Sequence, residues 1–262
     1  MVTGLFLDLT QEKDHIMPIL KTKSMFTNDN KSIDFQEGAL ILIDKPLEWT
    51  SFDIVNKVRY LISKKLKVKK IKVGHAGTLD PLATGLLIVC TGKFTKLIET
   101  YQGQQKEYIA TIKLGATTPS FDRETEEDKI YEWKHVTVET LNQVIPNFIG
   151  EIEQIPPVFS AKKVDGKRSY ESVRKGLDVE LKPNKIVIYS IEIMKVELPI
   201  VTLKLLCSKG TYIRAFARDF GIALQTGAYL IDLRRTKIGD FSVENALGIK
   251  EFEEKLNSLE LN

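Results

Sequence analysis

The chain has 262 residues, enough for one large domain or two small ones, and its 43% hydrophobic and 28% charged residues belong to a globular protein rather than a disordered, collagenous or disulfide-stapled one. Its longest uncharged apolar runs, Ala39 to Ile43 and Leu86 to Cys90, fall far short of the roughly 20 residues that span a bilayer. The net charge of +3, from 38 basic and 35 acidic residues, is too small by itself to mark a partner of nucleic acid.

In chain order, residues 1–37 show no sustained period and are expected to be a poorly ordered extension. Their opening, MVTGLFLDLTQEKD, reaches acids before an apolar signal core can form, so a cytoplasmic location is expected. The fold is expected to begin at Gly38. Ala39 to Asp44 reads as a buried strand, and Thr50, Ser51, Phe52 and Asp53 as a capping box. That box opens a helix whose apolar stripe is Val55, Val58, Leu61 and Ile62. Leu86 to Cys90 is strand-like, Phe94, Leu97, Ile98 and Tyr101 mark a short helix, and Tyr108, Ala110, Ile112 and Leu114 alternate with Ile109, Thr111 and Lys113 in the period of a strand.

Leu141, Val144, Ile145 and Phe148 predict another helix, with Gly150 as its C-terminal cap. Ile186 to Val196 and Val201 to Cys207 predict neighbouring antiparallel strands. Ile213, Phe216, Ala217, Phe220 and Leu224 predict a helix, and Tyr229 to Lys237 a final strand. Short connections between mixed elements indicate an α+β fold around a largely antiparallel sheet.

Charge is segregated along the chain. Ile54 to Leu79 holds eight bases and no acid, Asp122 to Glu139 seven acids against three bases, and Lys162 to Lys185 eight bases against four acids. Arg214, Arg218, Arg234, Arg235 and Lys237 add a third basic tract. One such run is ordinarily a solvated face, whereas three point to a polyanionic partner. Cys90 and Cys207 lie inside apolar runs and read as buried reduced thiols, and His15, His75 and His135 lack metal-ligand spacing, so no metal is expected.

The most unusual segment is GHAGTLDPLATG, from Gly74 to Gly85. Three glycines and a proline in twelve residues make an irregular loop, and Pro81 keeps Asp80 out of the α region. By turn chemistry alone Asp80 is a turn residue. Phosphate-loop, serine-hydrolase and zinc-protease motifs are absent from the sequence.

This segment resembles the motif around the catalytic aspartate of the TruB-type tRNA pseudouridine synthases. LILIDKP, KEYIATIKLG, IPPVFSAKKVDGKRSYESVRKG, CSKGTYIRAFARDFG and YLIDLRRTKIG resemble the family's other blocks in the same order, over residues 38–245. The resemblance implies the pseudouridine synthase fold with a thumb-like RNA-binding insertion at 156–185. It also implies isomerisation of uridine to pseudouridine in the TΨC loop of tRNA, at position 55. The chemistry has no net redox change, so no cofactor is expected. A monomer acting on tRNA is expected, with no membrane partner.

By match to the family's blocks, Asp80 is the catalytic carboxylate, acting either as a nucleophile or by removing a ribose proton to give a glycal. Tyr108 corresponds to the residue that stacks on the target base and accepts its C5 proton. From its phase with Ala110 and Ile112 alone it is a core tyrosine. Arg214 corresponds to the arginine that pairs with the carboxylate, although as a bare residue at a helix start it opposes the helix dipole. Tyr212 and Leu233 match the uridine pocket, and His75 a residue that holds the opened loop, with a satisfied loop histidine as the alternative. Lys162 and Lys163 match RNA-binding positions of the thumb. Lys45 and Pro46 match a pair that supports the active-site loop, and Asp122 an acid that helps to position it. Residues 246–262 are expected to be a short acidic tail with no further RNA-binding domain. A catalytically silent RNA-binding module and a guide-RNA-dependent catalytic subunit are the competing readings; intact Asp80, Tyr108 and Arg214 count against the first and the thumb-like block against the second.

Overall fold

The computed structural model describes residues 25–26, 33–157, 163–164, 167–168 and 181–260. The elements in chain order are β1 (Leu40–Lys45), α1 (Ser51–Leu66), β2 (Val73–His75), β3 (Ala83–Thr91), α2 (Ile98–Gly103), β4 (Lys106–Leu114), β5 (Ala116–Thr117), β6 (Lys129–Ile130) and α3 (Val138–Val144). There follow β7 (Gly150–Gln154), β8 (Lys163–Val164), β9 (Lys167–Arg168), β10 (Asn184–Glu197), β11 (Ile200–Cys207), α4 (Ile213–Ala223), β12 (Ala228–Ile238), β13 (Phe241–Ser242) and α5 (Ile249–Ser258).

Nine strands form one mixed sheet with the path β1-β3-β12-β4-β11-β10-β7, to which β2 adds on β3 and β13 on β12. Every pairing in it is antiparallel except that of β12 with β3. The α+β expectation therefore holds. The single parallel join matters for function because it lays Leu233, Arg234 and Arg235 beside Ala83, Thr84 and Gly85, the end of the glycine-rich loop. The backbones cross so closely there that a Cβ on Gly85 would lie 2.3 Å from the Arg235 carbonyl oxygen, and Gly85 also has φ +102°. Only glycine fits such a crossing without strain.

Helices cover the sheet in two places. Phe216 and Phe220 of α4 stack on each other and meet Phe148 edge-on, over a core that includes Ile112, Leu203, Leu205 and Leu230 of the central strands. Ile54, Val55, Val58 and Ile62 of α1 pack with Phe252 and Leu256 of α5 on Ile41, Ile43, Leu87 and Val89. The predicted capping box is present: the Thr50 side chain accepts from the Asp53 backbone N–H and Asp53 accepts from that of Thr50.

Three expectations change. The packed fold starts before Gly38, since Phe26 and Phe35 are buried and the Phe26 ring packs against those of Phe35 and Phe252. The acidic segment after 245 is no simple tail. It forms α5, whose Phe252 and Leu256 recur at helical spacing and enter the core. Gly150 does not cap a helix. The ring of Pro146 supplies no N–H for continued α pairing, α3 gives way to a 3-10 turn over Ile145–Phe148, and Gly150 opens β7 with φ +107°. The thumb-like segment lies largely outside the described residues; within it β8 pairs with β9, and a strand stretch resumes at Asn184. Residues 1–24 likewise lie outside them.

Candidate active site

The loop between β2 and β3 carries Asp80, and four residues from two parts of the fold, the 45–51 segment and β12, fix its backbone. Lys45, at the end of β1, is fully buried and donates from Nζ to the carbonyls of Pro46 (2.8 Å), Trp49 (2.6 Å) and Pro81 (3.4 Å). The Ser51 hydroxyl donates to the Leu79 carbonyl (3.2 Å) and accepts from the Leu79 N–H (2.8 Å). The Glu48 N–H donates to the Pro81 carbonyl (2.9 Å). From the far side Arg235 donates to the carbonyls of Leu86 (2.8 Å), Gly77 (3.0 Å) and Thr78 (3.4 Å). A loop with no regular secondary structure is thereby held in one conformation, as a carboxylate that must meet a reacting atom requires.

Arg214 stands in the first turn of α4, 5% exposed, and its Nε lies 3.0 Å from Asp80 Oδ2 and 3.4 Å from Asp122 Oδ2. Its Nη1 donates to the Ser120 carbonyl at 3.2 Å. Two carboxylates thus compensate a guanidinium placed at the unfavourable end of a helix dipole. Asp80 itself is 44% exposed on its side chain, so the paired carboxylate still faces the open space beside it. Asp122 is held in turn by the Ser120 hydroxyl (2.6 Å) and the Glu124 N–H (2.9 Å). Its neighbour Phe121 has φ +62°, an uncommon conformation for an aromatic residue that is found where the surroundings over-determine a position. Gln154 of β7 fixes the start of α4, donating to the Tyr212 carbonyl (3.1 Å) and accepting from the Tyr212 N–H (2.8 Å).

A cavity of about 750 Å³ opens beside Asp80, lined among others by Tyr108, Tyr212, Arg214, Leu233 and Arg235. The sheet register explains the grouping: Arg235 of β12 faces Tyr108 of β4, and Leu233 faces Ala110. Lys185 and Lys209 add cationic groups to the lining, while Lys106 is buried and donates to the Gln102 and Gln104 carbonyls. Burial pushes the Tyr108 hydroxyl up from its ordinary value, and the Arg235 guanidinium beside it works the other way. Burial also pulls the Lys45 and Lys106 ammonium groups down from 10.5 to about 8, with the Arg235 charge adding to the effect in both.

Asp80, Tyr108, Arg214, Tyr212 and Leu233 therefore meet at one cavity, with Lys45 and Pro46 behind the loop and Asp122 behind Arg214. His75 sits on β2, away from the lining. Burial and the Arg235 charge lower its pKa, and its Nδ1 has no partner among the described residues. Lys162 and the side chain of Lys163 lie outside what is described. Among the described residues no group of acids, histidines and cysteines could hold a metal, and no helix is long and apolar enough to cross a membrane. Cys90 and Cys207 are buried free thiols.

Sequence reasoning missed Arg235, Gln154 and Ser51. For Arg235 a signal existed: in YLIDLRRTKI it falls in phase with the inward Leu233, whereas Arg234 points the other way and pairs with Asp44 through both guanidinium nitrogens (3.0 and 2.7 Å).

Known proteins share this fold. A solved Cbf5-Nop10-Gar1 complex contains a chain similar to this one with a TM-score of 0.63 at 28% identity, over 84% of this chain and 54% of that one. An H/ACA RNP bound to a substrate RNA containing 2'-deoxyuridine gives a TM-score of 0.60 at 27% identity, over 84% and 53%. This chain thus spans about half the length of those structural neighbours. The fold is that of a pseudouridine synthase. The model of the TruB family of pseudouridylate synthases, N-terminal domain, matches residues 63–213. Relatives named tRNA pseudouridine synthase B are 57% identical in Phocaeicola vulgatus, over 87% of this chain and 97% of the relative, and 52% identical in Flavobacterium johnsoniae, over 85% and 98%. The chain belongs to the TruB family of pseudouridylate synthases.

Proposed function

We propose that the protein isomerises uridine to pseudouridine in the TΨC loop of tRNA, at position 55, acting as a cytoplasmic monomer with Asp80 as the reacting carboxylate. The observation that carries the assignment of the site is the 3.0 Å pair between Asp80 and Arg214 at the mouth of the cavity. Reduced buried cysteines agree with the compartment.

The target base leaves its stack and enters the cavity, where Tyr108 and Leu233 flank it. Asp80 either bonds to C1' of the ribose or removes its 2' proton; in both routes the N1–C1' bond breaks and its electron pair leaves with the uracil. Arg214 holds the carboxylate aimed. The uracil turns and C5 bonds to C1', as the Asp80–C1' bond breaks in the first route or Asp80 returns the proton to C2' in the second; the C5 proton is then lost and N1 regains a proton, so atoms and electrons balance without an oxidant or a reductant. Tyr108 rests as a neutral phenol because of its burial, and Arg235 is the cation positioned to offset a phenolate when the C5 proton departs. Lys185 and Lys209 suit the flanking phosphates.

Incubation with an unmodified tRNA transcript, followed by carbodiimide labelling and mapping of reverse-transcription stops, should reveal pseudouridine at one TΨC-loop uridine. Its absence there, or its appearance at other positions alone, would overturn the substrate assignment.

A further inference from the structure

We propose that a second, lysine-lined cleft remote from the active site binds the phosphate backbone of the tRNA outside the TΨC stem-loop. This rests on the tRNA-modifying function above, and concerns a surface that function does not use.

The cleft, about 390 Å³, is lined by Lys70, Lys72, Lys93 and Lys96 together with Gln36 and Thr95, and no acidic residue lines it. Its walls come from the segment entering β2 and the turn leaving β3, held together by the Gly92 N–H donating to the Lys72 carbonyl (2.9 Å). Lys93 is paired with Glu37 at 2.7 Å. Lys70, Lys72 and Lys96 are exposed and have no carboxylate partner among the described residues, while the exposed Lys64, Lys67 and Lys69 extend the positive surface beyond the cleft. Three uncompensated ammonium groups around one concavity, those of Lys70, Lys72 and Lys96, repel one another, a cost that an anion spanning them removes. The acids meanwhile are concentrated elsewhere, at 122–139 and in the segment after 243.

Position selects the anion. The active-site loop precedes Ala83 and the cleft follows Thr91, so the two sites lie at opposite ends of the nine-residue β3, about 26 Å apart at the usual rise of ~3.3 Å per residue. A nucleotide of the loop that inserts its base beside Asp80 cannot also reach the cleft. A more distant part of the same folded RNA can, and repeated phosphates are what spaced, solvated ammonium groups match.

The test compares full-length tRNA with an isolated TΨC stem-loop, using the full chain and a triple variant, Lys70→Gln, Lys72→Gln and Lys96→Gln. A second triple variant, Lys129→Gln, Lys134→Gln and Lys250→Gln, removes the same charge from exposed positions elsewhere. The cleft variant should bind tRNA on the order of tenfold more weakly at moderate salt, with a log K against log salt slope shallower by about 2. Its stem-loop affinity and its single-turnover rate at saturating tRNA should match wild type, and the control variant should match wild type throughout. Equal weakening in both variants would assign the effect to net charge and overturn the proposal. Unchanged tRNA affinity in the cleft variant, or equal loss on tRNA and stem-loop, would overturn it too. A wild-type protein that modifies neither RNA would refute the function on which the proposal rests, which distinguishes that failure from failure of the cleft.

Discussion

The residues around Asp80 leave it little freedom. Arg214 bridges Asp80 and Asp122 through one nitrogen and uses another on the Ser120 carbonyl, a fork that an ammonium group cannot reproduce. Arg214→Lys should therefore lower single-turnover rate on the order of a hundredfold while filter-binding affinity for tRNA stays within about twofold. Equal losses in rate and affinity would mean that Arg214 grips RNA instead of aiming the carboxylate. Lys45 offers a different test. Its folded pKa of about 8 lies below the unfolded value of 10.5, so between those values the unfolded chain binds a proton that the folded chain has released. Stability from this group accordingly rises with pH through that window, by at most ~1.4 kcal/mol per pH unit. The unfolding free energy of wild type minus that of Lys45→Met should grow between pH 8 and 10 in urea titrations; a flat or shrinking difference would contradict the burial of a strained ammonium. At this scale the sequence spoke unevenly. Asp80 reads as a turn residue and Arg214 as a misplaced surface charge until the loops that oppose them are assembled, because the contacts span 134 and 92 positions of sequence.

At the scale of elements, short and polar pieces were the ones the pattern did not reveal. β7, GEIEQ, has a single large apolar residue, yet its Gln154 fixes the start of α4. α5 was obscured by its net charge: five glutamates after residue 243 read as a solvated tail, while Ile249, Phe252, Leu256 and Leu259 keep the 3.6 period beneath them. Phe26 and Phe35 carried no period at all, since isolated aromatics anchor by contact rather than by repeat. The long strands and α1, in contrast, were readable because alternation, helical stripe and capping box agree locally. Two substitutions check the packing. Phe252→Ala removes a fully buried ring that joins Phe26 to α1 and should cost about 3–5 kcal/mol in chemical denaturation; a loss below about 1 kcal/mol would mean that α5 is not part of the core. Gly85→Ala places a methyl group against the Arg235 backbone at a positive φ, and should shift the thermal midpoint downward and reduce activity together, because the strand join and the clamp on the Asp80 loop are the same structure. A variant with wild-type midpoint and rate would show that the join can relax.

For the whole molecule, a net charge near zero conceals a polarised surface. Bases gather along α1 and the approach to β2, at the cavity rim and on β12, while acids occupy the 122–139 loop and α5. The single parallel strand pair gives this distribution its use, since it draws the end of the Asp80 loop, β12 and β4 into one wall and leaves the cavity between them. In the function proposed above, the carboxylate of Asp80, aimed by Arg214, drives uridine isomerisation. The most direct measurement is tritium release from tRNA carrying [5-³H]uridine, wild type beside Asp80→Asn, with tRNA binding measured in parallel. The wild type should release tritium stoichiometrically with the target uridine, and Asp80→Asn should bind tRNA yet release none. Release that survives in Asp80→Asn would contradict the account.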